Sequence, residues 1–143
     1  MLRRLIAPVS ALALGGLAVA GAVPASAAAQ TFTAHLTGSQ EPSGGDPTAT
    51  GTARVTVDSA TGRICYVLTV SGLDHPTAAH IHEAPPGVAG PVVAPLQTPV
   101  NGRSAGCTTV AKSEARDIVL HPEDHYVNVH NAMFPAGAIR GQL

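Results

Sequence analysis

A chain of 143 residues with 8 basic and 9 acidic side chains is large enough for one real hydrophobic core, and its near-neutral charge excludes a nucleic-acid binder, which needs clustered lysines and arginines. Aromatic residues make up only 3% of it, so Val, Ile, Leu and Ala must build the core, a composition that favours strands over long helices. Lys112 is the sole lysine, and no run of like charge occurs.

The first 27 residues read as a signal peptide. Arg3 and Arg4 form a basic start, Leu5 to Val23 is apolar, and Ala25-Ser26-Ala27 has the small-residue pattern of a cleavage site. Residues 28–143 then form one exported domain with no second apolar run. Losing Arg3 and Arg4 leaves it 6 basic against 9 acidic residues, a mildly acidic surface. The expected localisation is secreted or extracytoplasmic, with no membrane contact after signal removal.

Beyond the leader, short strand signals alternate with Gly, Pro, Asn and Asp, the pattern of a β-sandwich or barrel. Strands are expected over Thr31–Leu36, Thr52–Val57, Ile64–Val70, Ala78–His82, Val92–Leu96, Cys107–Val110, His125–His130 and Ala138–Leu143. Asp58-Ser59-Ala60-Thr61-Gly62 is a hairpin connection with Gly62 in a left-handed position. Residues 84–90 and 98–106 read as loops. One helix is expected, with Ser113 capping Glu114–Leu120 and Pro122 stopping it. Cys65 and Cys107, the only cysteines, fall in separate strands; in an exported chain an even pair reads as a disulfide, with Cα atoms about 4.4–6.8 Å apart.

Two stretches carry the chemistry. In Ala79-His80-Ile81-His82, strand alternation puts His80 and His82 on the face opposite Ile81. In Tyr126-Val127-Asn128-Val129-His130, it puts Asn128 and His130 opposite the valines. If the aliphatic residues face the core and the strands are neighbours, three imidazoles meet on one outer patch. Two readings stay open. The histidines form a structural hydrogen-bond network that ties the Pro85–Gly90 loop to the sheet, with Asn128 and Arg140 completing it. Alternatively, His80, His82 and His130 bind a metal, copper(II) being the tightest of the common divalent ions, with Asn128, Glu83 and Arg140 as supporting groups and Glu41 a further acid nearby. The remaining histidines are assigned to solvent, turns or, for His125, a partly buried edge.

The motifs Phe32 through Pro42, Ala79-His80-Ile81-His82 running into Gly90-Pro91-Val92-Val93, and Pro122–His130 with Pro135–Leu143 resemble the CHRD (chordin-type) domain family, here a secreted bacterial single-domain member. His125 departs from that family's pattern, which often has a second Tyr there; Ala138 stands where an acidic residue is common. The resemblance implies an all-β, immunoglobulin-like or superoxide-dismutase-like sandwich with one short crossover helix. It also implies a binding or structural module rather than an enzyme; in animals such domains occur in a protein that binds secreted growth factors. His80-Ile81-His82 with His130 is similar in strand pattern to the copper site of Cu/Zn superoxide dismutase. The bridging-histidine loop, the zinc-binding Asp and the electrostatic-loop arginine of that enzyme have no counterpart here, so a dismutase-like redox activity is the weakest of the three readings. No nucleophile elbow, HExxH or phosphate loop is present. The partner expected is an extracellular protein or a metal ion; imidazole suits copper, zinc, iron and nickel, and copper is the cofactor that the metal-binding reading calls for.

Overall fold

The computed structural model describes residues 29–143; the expected signal peptide, residues 1–27, lies outside the described residues. Eight strands form one antiparallel sheet: β1 (Gln30–Thr37), β2 (Thr50–Asp58), β3 (Arg63–Ser71), β4 (Pro76–Glu83), β5 (Val92–Leu96), β6 (Arg103–Thr109), β7 (His125–Asn131) and β8 (Ile139–Gln142). The order across the sheet is β5-β4-β7-β8-β1-β2-β3-β6. The sheet folds on itself as a flattened, nearly closed barrel, so the expected all-β sandwich with a single crossover helix is what the chain adopts.

The alternation written into each strand explains why. Ala53, Val55 and Val57 of β2 and Ile64, Tyr66, Leu68 and Val70 of β3 point inward, against Ala79 and Ile81 of β4, Val127 and Val129 of β7, and Ile139 of β8. Most of these are almost wholly excluded from water. Burying each Val, Ile or Leu contributes about 1.5–3 kcal/mol, which makes this interior the main stabilising term. β5 and β6 are the two sheet edges and do not pair with each other. The residue after β5 is tied to β3 instead, where the Tyr66 hydroxyl accepts the Gln97 backbone N–H at 2.8 Å.

Tyr66 also explains where the loop expected over 98–106 ends. β6 begins at Arg103 rather than Cys107, pairing Ala105 with Val67 and Gly106 with Tyr66. A Cβ at Gly106 would come within 2.9 Å of the Tyr66 hydroxyl, so a residue type that reads as loop is required here inside a strand. Gly62 has φ +79°, as the β2–β3 hairpin demands, and Asp58 Oδ1 accepts the Ala60 and Thr61 N–H groups.

The crossover helix α1 (Lys112–Leu120) links edge strand β6 to central strand β7. It starts earlier than the sequence suggests. Ala111, not Ser113, is its N-cap, and no side chain caps it. Burial of Ala115 and Ile118 sets its position instead. Cys65 and Cys107 are bonded. Their Cα atoms are 4.0 Å apart, closer than expected, because the two residues face each other directly in the β3–β6 ladder, where opposed residues already approach to about 4.5 Å. Among the described residues no helix is long and apolar enough to cross a membrane.

Candidate metal centre

The site is assembled on the outer face of β4, β7 and β8. Register places three cross-strand rows side by side: Ala78–His130, then His80–Asn128–Arg140, then His82–Tyr126–Gln142. Because Ile81, Val127 and Val129 turn into the core, every residue of alternate parity turns outward onto this patch. One ring nitrogen from each of His80, His82 and His130 lies within 4.8 Å of the others.

Hydrogen bonding decides which nitrogens face inward. His82 Nδ1 lies 2.9 Å from the Gly90 carbonyl, and His130 Nδ1 lies 3.0 Å from the Pro135 carbonyl. A carbonyl can only accept, so both rings carry a proton on Nδ1 and donate it there. Nε2 of each is left with a lone pair. His82 Nε2 is buried and has no hydrogen-bond partner. His130 Nε2 lies 3.2 Å from His80 Nδ1 and 3.0 Å from Asn128 Oδ1, so a neutral ring that donates to the Pro135 carbonyl turns its lone pair toward an acceptor oxygen. With neutral rings the pocket therefore holds the lone pairs of His82 Nε2 and His130 Nε2 together with the Asn128 Oδ1 acceptor, and His80 Nδ1 brings at most one imidazole proton to them. With that proton on His80 Nε2 instead, all three inward nitrogens become donors to a cation.

The surroundings reinforce neutral rings. Burial pushes the His80 pKa below that of an ordinary histidine, and the neighbouring His130 and His82 push it further the same way. For His130, burial lowers the pKa, the Pro135 carbonyl opposes, and His82 adds a smaller lowering effect. His82 stacks on Tyr126 with ring centroids 4.8 Å apart and planes 4° from parallel. The Arg140 guanidinium sits 3.4 Å from the centre of the same Tyr126 ring. Tyr126 has the outward parity of Asn128 and His130, so alternation could have found it; the sequence reading passed it over because a lone tyrosine carries no ligand signal.

Arg140 supports the site from the neighbouring strand β8. It is 1% exposed, and it donates to Val88 O at 2.6 Å, to Pro85 O at 2.9 Å and to Gln142 Oε1. These bonds hold the 84–90 loop over the sheet, and that loop supplies the Gly90 carbonyl that orients His82. Glu41, from the turn after β1, is also buried. Burial raises its pKa, while Arg140 and the Asn128 amide pull it down. Its carboxylate packs against Gly137, at φ +142°, where a Cβ would run into it.

Asn128 and Arg140 thus join the three histidines on one patch. Glu83 does not. It shares parity with Ile81, faces away from His80 and His82, and lies with Glu114 and His125 instead. His125 is fully buried rather than partly so, because α1 covers it. His35 and His121 are exposed, as expected.

The model of the CHRD domain matches residues 32–143, and the chain belongs to that family. No curated protein and no solved structure matches the chain. Membership supports a module of binding or structural kind.

Proposed function

We propose that this CHRD-domain chain is an exported binding module whose ligand is a transition metal ion, copper(II) foremost, taken by His80, His82 and His130. The observation that carries this reading over a purely structural network is the buried, unpartnered Nε2 of His82, in a cluster where one ring nitrogen from each of the three histidines lies within 4.8 Å of the others. Burying an imidazole acceptor without a partner costs free energy, and a cation is the species that satisfies several lone pairs at once. The donor set suits such an ion: imidazole binds copper and zinc, and a second ring nitrogen hydrogen-bonded to a carbonyl is the usual way a ligating histidine is oriented. Export is part of the reading, supported by the leader pattern and by the Cys65–Cys107 bond, which persists in oxidising compartments.

Calorimetric titration with copper(II) should find a tight site that is weakened by at least about tenfold in His82→Ala and His130→Ala and unchanged in His35→Ala. Protons compete for the same nitrogens, so affinity should fall on acidification. Because the His80 and His130 rings resist protonation, the loss should set in below the usual histidine value of about 6.5. Equal, weak copper binding by wild type and His82→Ala would return the cluster to the structural reading.

A further inference from the structure

A second group of donors lies under α1 and shares no residue with the histidine patch. His125 opens β7 and is 0% exposed. Its Nδ1 lies 2.9 Å from the His121 carbonyl and donates to it, which leaves a lone pair on Nε2. That Nε2 points at Glu114 Oε1, 3.5 Å away, and at Asp117 Oδ2, 3.7 Å away, both on α1. Neither His125 Nε2 nor Glu114 Oε1 has a hydrogen-bond partner, and both atoms are buried. Glu83, paired with His125 across the β4–β7 ladder, brings a second carboxylate, and one donor atom from each of Glu83, Glu114 and His125 lies within 4.8 Å of the others.

We propose that His125, Glu114 and Glu83 form a second metal site, independent of the first, that takes a zinc-class divalent ion. Three features of the cluster support it. The imidazole lone pair and the carboxylate oxygens are all acceptors, so the cluster repels itself unless something positive sits among them. The His121 carbonyl fixes the ring so that Nε2 is the nitrogen presented, as a ligating histidine requires. Mixed imidazole and carboxylate donors are a set that zinc accepts, with Asp117 beside them on the solvent side. Glu83 is exposed, which gives an ion an entry path. The ion would tie α1 to β4 and β7, pinning the crossover helix to the sheet. Its role is therefore to hold the fold rather than to react.

The test uses zinc chloride on chelator-stripped protein, with wild type beside a His80→Ala/His130→Ala variant that lacks the first cluster. The expected result is one equivalent of zinc retained by that variant, together with a rise in its thermal midpoint on adding zinc. Glu83→Gln and Glu114→Gln, both at partly or fully exposed positions and so compatible with folding, should each weaken zinc by at least about tenfold. Cobalt(II) in place of zinc should give visible absorption that both Gln variants lose. Absence of zinc binding by the variant lacking the first cluster, or zinc affinity indifferent to both Gln substitutions, overturns the proposal and leaves His125 and Glu114 sharing a proton as an ion pair.

Discussion

Glu41 shows how one side chain can work against the fold while serving a site. Its carboxyl is buried beside Asn128 and Arg140, and burial raises its pKa above the ordinary value despite both neighbours. The sign of the linkage follows directly. The folded state holds the Glu41 proton more tightly than the unfolded chain does, so its contribution to stability is full below the unfolded carboxyl value and is lost as pH rises through the folded one. Glu41→Gln removes that loss. Its unfolding midpoint in urea should therefore gain on wild type as pH rises from about 4 to 7, starting near the unperturbed carboxyl value of about 4.3. A gap that stays constant or shrinks over that range would mean that Arg140 and Asn128 fully compensate the charge. If they do not, the retained negative charge is explained by the neighbouring site: a carboxylate beside Asn128 favours a cation on the histidine patch.

Strands set the face of the patch and loops orient its rings, and the loops are where the sequence was least readable. Alternation within β4 and β7 is local, so the shared face of His80, His82, Asn128 and His130 follows from residue order alone. The carbonyls of Gly90 and Pro135 that orient two of the rings come from connections, the first held in place by Arg140 from across the sheet and the second by the Asn131 side chain and the Val129 carbonyl. Glu83 was misplaced for a related reason: adjacency in sequence to His82 put it on the other face of the same strand. Gly137 is the tightest point in the last connection, since its φ of +142° and the Glu41 carboxylate against it both exclude a side chain. Gly137→Ala should destabilise the protein by about 1–3 kcal/mol and displace the neighbouring Pro135 carbonyl, so copper affinity should fall with it. A loss of stability with unchanged copper affinity would show that His130 does not need this carbonyl.

Across the molecule, the hydrophobic pattern settles the barrel and the polar connections tune it. The eight strands were legible because each carries its own period-two signal; the short β6 start and the helix cap were not, because Tyr66 and the burial of Ala115 and Ile118 decide them from elsewhere in the chain. One covalent link reinforces this arrangement at the sheet edge. The Cys65–Cys107 bond joins β3 to edge strand β6 on the outer surface and closes a segment with a sequence separation of 42 that contains β4 and β5. It thus restrains the unfolded chain across the two strands on which the barrel's closure depends. In the chain-entropy account a loop of this length contributes about 3–4 kcal/mol. The paired variant Cys65→Ser/Cys107→Ser should lose stability of that order in urea unfolding. Its copper stoichiometry should be unchanged, because the histidine patch is built on β4, β7 and β8 and takes no residue from β3 or β6. Loss of copper binding in a variant that remains folded would instead show that closure of the barrel edge is needed to hold the patch together.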